Sequence, residues 1–326
     1  MYTRISELSA FVLDLNAQAQ DRGVSDLVAW AVASLSDRLG FDCAWYGWAQ
    51  LQTSGAVIHA NTTYNLPQDY YPFWMGMADQ DVLVDQLLND PFCVATYDRN
   101  GNIQSDGMEH LSDAFGLRKM ATAMCLRPER TASFYLSAYR GGDPVRPWSS
   151  EECEFLKCAV DNISAAAGIA AGNDLQSLDG QTASIFMSPK GAAIVGLNRL
   201  RERFGHLWTR SDGDRVPRWL AEYVDRPGEH LLLDQELVAT CEPYYAAQGG
   251  MGWHKMTLRP LQRYDFLTSR EREVATALAD GHSHKEVARL LGVAPSTVRN
   301  QTQAIYRKLG IDNRASLAKH LPARLV

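Results

Sequence analysis

The sequence has no run of about 18 apolar residues, the length a helix needs to cross a bilayer, so no segment is expected to span a membrane. Its opening residues, MYTRISELSAFVLDLNAQAQ, alternate polar and apolar positions at helical spacing. They lack the basic stretch followed by an apolar run that a secretory signal requires, which makes a cytoplasmic protein the expectation. Cysteine is scarce and scattered: Cys43, Cys93, Cys125, Cys153, Cys158 and Cys241 form no Cys-x-x-Cys pair and have no accompanying His cluster. That excludes the usual zinc-site and disulfide-framework patterns. Buried, reduced thiols are the plain reading, and a redox-sensing thiol is the alternative. No GxSxG, P-loop, HExxH or dinucleotide-binding glycine pattern occurs, and His59, His110 and His230 have no spacing that suggests a site. Nor does an acidic pair close a first parallel strand, as phosphotransfer control would need. An enzyme is therefore not expected, and neither a cofactor nor a metal is called for.

Charge is unevenly spread. The formal net charge is −6, but from Phe266 onward ten Lys and Arg stand against five Asp and Glu, a local +5 that leaves −11 for the rest. A basic tail on an acidic body suits a nucleic-acid-reading module joined to something else. At 326 residues the chain is longer than one ordinary domain, and 46% hydrophobic content is that of a globular protein.

Three segments can be distinguished. Residues 1–175 read as a mixed domain. Ile5, Leu8, Phe11, Val12, Leu15 and Ala19, then Val24, Leu27, Val28, Ala31, Leu35 and Leu39, follow a helical period that Gly40 stops. FDCAWYGWA and AVIHANTTY read as strands joined near Ser54-Gly55. Short helices are expected over Gln68–Met77 and Val82–Leu88, and KMATAMCLR with ASFYLSAYR as a hairpin turning at Pro128-Glu129-Arg130. A helix from Ser150 to Gly172, capped by Ser149 or Ser150 with Glu152, closes the segment. Helices at both ends of an antiparallel sheet indicate an α+β class with an α/β/α sandwich. Residues 180–261 form a smaller α+β unit. SIFMS and AAIVG read as a hairpin around Pro189-Lys190-Gly191, a helix follows with Leu197, Leu200 and Phe204, and HLLLDQEL, LVATCEPYY and WHKMTLRPL are strand-like, with Gly249-Gly250 at a turn. A small sensor fold and a structural spacer both fit that pattern. Residues 266–326 are helical throughout.

The last segment carries the sharpest signal. In LTSREREVATALADG, Thr268 precedes Glu271 by three residues, a capping box, and Val274 and Leu278 share one face before Gly281. Ser283 and Glu286 repeat the box ahead of HKEVARLLG, and Gly292-Val293-Ala294 then turns into PSTVRNQTQAIYRKLG, where Pro295 suits the first helical position. Val298, Ile305 and Leu309 form an apolar stripe. Ser296, Asn300, Gln303 and Arg307, with Arg299 beside them, form another face that bears donors and acceptors and no acid. Such a face suits base edges in a major groove; a plain solvated helix is the bland alternative.

This stretch resembles the LuxR/GerE family of helix-turn-helix domains. The resemblance is carried by Leu267-Thr268, Arg270-Glu271, Val274, Gly281, Lys285-Glu286, Ala288, Leu291-Gly292, Thr297-Val298-Arg299, Tyr306, Lys308-Leu309 and Arg314. It implies that the third helix enters the major groove of double-stranded DNA, that Arg299, Asn300 and Gln303 face bases, and that Lys285, Thr297, Arg307 and Lys308 meet phosphates. It also implies that a last helix, Arg314–His320, supports a homodimer on a two-fold operator, with RNA polymerase a further candidate partner. The chain departs from the family at Ala294, where Ser is usual, so a side-chain cap worth about 1 kcal/mol is missing. It departs again at Gln301, where His is frequent.

Upstream, Phe41 to Tyr97 is dense in aromatics, among them Trp45, Trp48, Tyr64, Tyr70, Tyr71 and Trp74. The cluster reads equally as core or as a pocket lined by aromatics, for which Tyr64 and Asp81 could supply polar anchors. Asp81 reads also as a helix cap. LPQDYYPFWMGMADQDVLV resembles the pocket region of autoinducer-binding domains, with Tyr70, Trp74 and Asp81 in the recurring aromatic, aromatic and acidic places. YLSAYRGGDPVRPWSSEECEFLKCAVDNISAAAG is similar to the end of GAF-like sensors in LuxR-type regulators, and the middle unit resembles a PAS domain in outline. Family members usually have Trp where Tyr70 stands and Pro where Val82 stands, which points away from an acyl-homoserine lactone toward another small apolar or aromatic compound. The expectation is a ligand-responsive DNA-binding regulator with a site at Trp45, Tyr64, Tyr70, Trp74 and Asp81. A constitutive or protein-regulated DNA-binding dimer is the alternative.

Overall fold

The amino-terminal helices follow directly from their apolar spacing. In the computed structural model, which describes residues 2–126, 132–142, 144–175, 181–209, 216–244 and 253–321, they are α1 (Tyr2–Asp21) and α2 (Val24–Leu39). Phe11, Leu15, Leu27, Leu35 and Leu39 are wholly buried, and each such side chain removed from water contributes about 1.5–3 kcal/mol as an upper bound.

The chain continues through β1 (Cys43–Gln52), β2 (Gly55–Tyr64), α3 (Tyr70–Met75), α4 (Val82–Asn89), β3 (Ala95–Asp98), α5 (Asp106–Phe115), β4 (Leu117–Cys125), β5 (Ser133–Gly141) and α6 (Ser150–Asp174). The five strands form one antiparallel sheet in the order β2-β1-β5-β4-β3. Alternation along the strands sorts the side chains into two cores. Ala44, Tyr46, Trp48, Phe134, Leu136 and Ala138 pack against α1, α2 and α6. Trp45, Met120, Met124, Tyr135 and Tyr139 pack against α3, α4 and α5. This is the expected α/β/α sandwich. The sequence reading omitted β3 and α5. The α5 cap is nonetheless written at Ser105, whose hydroxyl accepts from the Met108 amide. The expected turn at Pro128-Glu129-Arg130 lies outside the described residues.

One ion pair ties the helices to the end of the sheet. Arg140, 2% exposed, donates to Glu152 Oε1 at 3.0 Å and to the carbonyls of Leu39 and Gly40, and its guanidinium lies 3.8 Å from the centroid of the Trp148 ring. The Ser149 amide and Glu152 carboxylate close the capping box of α6. A buried pair so fully hydrogen-bonded offsets its own desolvation, whereas removing one member would strand the other.

The middle segment holds β6 (Ala183–Met187), β7 (Ala193–Val195), α7 (Leu197–Phe204), α8 (Arg218–Ala221), β8 (Gly228–Leu232), β9 (Leu237–Tyr244) and β10 (Trp253–Pro260). Their sheet runs β7-β6-β10-β9-β8, the same strand permutation as the first. HLLLDQEL, expected as one strand, is broken: Leu233–Gln235 form a 3₁₀ turn and Glu236 takes a left-handed φ of 53°, which reverses the chain between β8 and β9. The expected turn at Gly249-Gly250 lies outside the described residues. The two sheets share a core, since Trp253 meets Trp48 edge-to-face at 4.4 Å and Phe186 and Val195 join the same cluster.

The chain divides into two compact units, residues 1–230 with 239–258, and residues 231–238 with 259–326. The second unit ends in α9 (Ser269–Ala279), α10 (His284–Leu291), α11 (Pro295–Leu309) and α12 (Arg314–His320) around Leu267, Val274, Leu278, Val287, Val298, Ile305, Leu309 and Leu317. Among the described residues no helix is long and apolar enough to cross a membrane.

Candidate nucleic-acid interface and effector pocket

Each helix of the carboxy-terminal unit begins where its sequence prescribes. Thr268 and Glu271 form a reciprocal capping box on α9, and Ser283 and Glu286 do so on α10. Ala294 precedes α11 with no side-chain cap, as its methyl group requires. Asn313 caps α12 by accepting from the Ser316 amide.

The helix ends are closed differently, by arginines. Arg314 Nε donates to the Leu278 carbonyl at the end of α9, Arg270 to Leu291 at the end of α10, and Arg263 to Leu309 at the end of α11. Cations there satisfy orphan carbonyls and oppose the negative end of the helix dipole. After α11, Gly310 has φ 69°, and a Cβ on it would stand 2.1 Å from Arg263 Nη1. The left-handed φ favours glycine, and any side chain there would also displace the Arg263 guanidinium from the Leu309 carbonyl.

These bonds redistribute the basic charge read from the sequence. Arg270, Arg272 and Arg314 donate to backbone carbonyls inside the module, and Lys308 Nζ is 2.6 Å from Glu271 Oε2. Burial raises the Glu271 pKa, but the Lys308 ammonium and the Thr268 bonds outweigh it, so the carboxyl titrates below its usual range. Lys308, expected at a phosphate, is also half of an intramodular clamp. Sequence spacing could not show this, because its partner lies 37 residues away.

The expected residues are exposed, Lys308 among them. Ser296, Thr297, Arg299, Asn300, Gln303 and Arg307 line the solvent side of α11, and Lys285 lies in the first turn of α10. Val298, Ile305 and Leu309 are fully buried on the opposite side, with Thr302 bonded back to the Val298 carbonyl. The exposed face holds guanidinium, amide and hydroxyl groups and no carboxylate, which suits a groove flanked by phosphates.

In the first unit, α3, α4 and α5 leave a narrow cavity against the sheet, with a volume of about 40 Å³ that gives room for a few waters at most. Trp45, Tyr70, Trp74 and Asp81 converge on it. Trp45 lies 4.8 Å from Trp74 and 5.6 Å from Tyr70 between ring centroids. Tyr64 does not belong here. It pairs across from Ala44 on β1, and strand alternation turns it, with Ala44 and Tyr46, to the other face, where it meets Phe41. Among the residues missed by the sequence reading are those that later strands bring in: Met120, Thr122 and Met124 from β4, Tyr135, Ser137 and Tyr139 from β5. Their period-two spacing was visible, but their apposition to Trp45 required the sheet order.

Of the two roles left open for it, Asp81 fills that of helix cap. Its Oδ1 accepts from the Leu83 amide at 2.9 Å and more distantly from Val84, capping α4, while Oδ2 accepts from Trp74 Nε1 at 2.8 Å. Burial pushes its pKa up; the three donors pull it back only in part. The Tyr70 and Tyr139 hydroxyls meet at 2.7 Å, and Thr122 donates to Ser137 at 2.9 Å. Among the described residues no group of three or more His, Cys, Asp or Glu could hold a metal ion. Of the cysteines, Cys43, Cys125 and Cys241 are buried, but Cys158 is exposed on α6, against the expectation for buried thiols.

Behind the cavity wall the two sheets are joined. Ile58 lines the cavity, and its carbonyl accepts from Lys190 Nζ at 3.3 Å. The adjacent His59, at the β1–β2 bulge, holds Ser188 Oγ at 3.1 Å from its Nδ1. Burial, then the nearby Lys190 charge, lowers the His59 pKa to about 4, so the ring is neutral near pH 7.

Residues 265–321 match the family described as bacterial regulatory proteins, luxR family, and this part of the chain is a LuxR-type helix-turn-helix domain. Over 134 residues, 41% of its length, the chain is 34% identical to the putative HTH-type transcriptional regulator Rv0890c of Mycobacterium tuberculosis, where the match spans 15% of that protein. Over 59 residues, 18% of its length, it is 44% identical to the transcriptional regulatory protein UhpA of Escherichia coli, where the match spans 30%. The chain thus spans well under two thirds of these curated relatives. A crystal structure of Escherichia coli SdiA aligns with 95% of this chain and 95% of its own, at 13% identity and a TM-score of 0.40.

Proposed function

We propose that this chain is a sequence-specific DNA-binding transcription regulator that acts as a homodimer on a two-fold operator, with DNA binding controlled by a small apolar or aromatic effector in the cavity beside Trp45, Tyr70 and Trp74. The observation that carries the DNA-binding part is the acid-free exposed face of α11, with Arg299, Asn300, Gln303 and Arg307 opposite the buried Val298, Ile305 and Leu309. Arg299, Asn300 and Gln303 reach base edges; Lys285, Thr297 and Arg307 contact phosphates. The effector acts by binding two arrangements of the dimer with different affinity.

A second reading is favoured by the narrowness of the cavity, about 40 Å³ of water-accessible room. In it the aromatic cluster is core, and the upstream domains dimerise or dock a protein partner. The test is selection of operator sequences from a random pool with the full chain, followed by anisotropy titration with and without a small-molecule extract of the source cells. Selection of no sequence motif overturns the regulator. An operator whose affinity no extract alters favours the second reading.

A further inference from the structure

Within the cavity wall almost every polar side chain is already paired. Asp81 already accepts from one indole and two backbone donors. Trp45 Nε1 donates to Asn61 Oδ1 at 3.3 Å, Tyr70 bonds Tyr139, and Thr122 bonds Ser137. The exception among the lining residues is the Tyr135 hydroxyl, which is buried and has no hydrogen-bond partner. Tyr135 lies on the central strand β5, flanked in register by Gly47 of β1 and Met124 of β4, with its ring 5.1 Å from Trp45. Burial raises its pKa, so the phenol remains a neutral donor. Among the described residues no Lys, Arg or His lines the cavity. A carboxylate or phosphate ligand would therefore enter an apolar site without a counter-charge, at heavy desolvation cost.

We infer that the effector is an uncharged, mostly apolar molecule carrying one hydrogen-bond acceptor, a carbonyl or ether-like oxygen, to which the Tyr135 hydroxyl donates; this rests on the proposal that the cavity is the effector site. Asp81 is not the ligand's anchor. Its carboxylate builds the wall by holding Trp74 and the start of α4. The rings of Trp45, Tyr70 and Trp74, tilted against one another, supply an aromatic surface, and Tyr135 supplies a hydroxyl with no partner at all. An orphaned buried hydroxyl is costly in the empty protein, and a ligand acceptor removes that cost on binding.

Three probes of similar shape test this on the full chain: acetophenone, with a carbonyl; cumene, its counterpart without an acceptor; and benzoate, which is charged. Binding is read by calorimetric titration and by the rise in Tm. The wild-type chain is expected to bind acetophenone about three- to tenfold tighter than cumene, the worth of one hydrogen bond, and to bind benzoate least. Tyr135→Phe should abolish the acetophenone preference and leave cumene unchanged, and the empty variant should melt no lower than wild type. A preference that survives in Tyr135→Phe overturns the donor role, as does a lower melting point of the empty variant. Benzoate bound as tightly as acetophenone overturns the uncharged class. If none of the three binds wild type, the effector reading of the cavity falls, and this inference with it.

Discussion

Lys308 Nζ lies 2.6 Å from Glu271 Oε2, so the last turn of α11 is clamped to the first turn of α9. Its neighbour Arg307 is exposed on the face proposed to meet DNA. Two adjacent cations that look equivalent in the sequence thus differ in their partners within the module. Arg307→Ala should weaken binding to all DNA sequences alike and reduce the slope of log affinity against log salt by about 0.9, with the melting temperature unchanged. Lys308→Ala should instead lower stability by about 0.5–1.5 kcal/mol and leave the slope alone. Salt titration beside thermal melting separates the two.

Arg299 and Ile305 offer a similar contrast between faces of one helix. Arg299→Ala should cost about 1–3 kcal/mol of specific affinity and relax base preference at one position of each half-site. Ile305→Ala should cost about 2–5 kcal/mol of stability in that module through the cavity it leaves. Unchanged operator affinity in the Arg299 variant would overturn the docking of α11.

The Trp74–Asp81 bond should make Asp81 a stability residue rather than an effector contact. Asp81→Ala removes a helix cap, about 1 kcal/mol, and orphans a buried indole N–H, about 1–3 kcal/mol more. Denaturant melts of the single variants Asp81→Ala and Trp74→Phe and of the double variant should therefore be non-additive. Additivity would mean that the bond contributes nothing.

His59 predicts a pH effect. Its pKa is lowered from 6.5 to about 4 in the fold, so the unfolded chain binds more protons between those values. Stability from this group is complete above pH 6.5 and is lost as the pH falls toward 4, by up to about 1.4 kcal/mol per pH unit. Glu152, Asp265 and Glu271 are also depressed from ordinary carboxylate values and their losses begin at lower pH, while the raised Asp81 carboxyl acts in the opposite sense, so the difference between wild type and a His59 variant from pH 6.5 to 5 reports on His59. In His59→Gln the stability curve should be flatter across that range. An unaltered curve would show that the ring does not stay neutral at Ser188.

Much of the helix-turn-helix unit could be read from spacing, because its determinants are local. The boxes Thr268–Glu271 and Ser283–Glu286 and the stripe Val298, Ile305, Leu309 each lie within a few turns of one helix. The bound roles of Arg263, Arg270, Arg314 and Lys308 could not be read, since each reaches a group brought near by helix packing. In the pocket, Tyr70, Trp74 and Asp81 were found because they fall within one short segment. Tyr64 was misassigned because strand parity, set by the register with β1, turns it to the opposite face.

Local periodicity and capping were enough for the helices, most strands, the α+β class and the polar face of α11, because hydrogen bonds and burial along one element are dictated by nearby residues. The matching order of the two sheets, the core shared through Trp48 and Trp253, and the meeting of Tyr135 with Trp45 came from three-dimensional packing. Those pairings join residues up to some two hundred positions apart, and no local pattern encodes which distant strand will lie alongside.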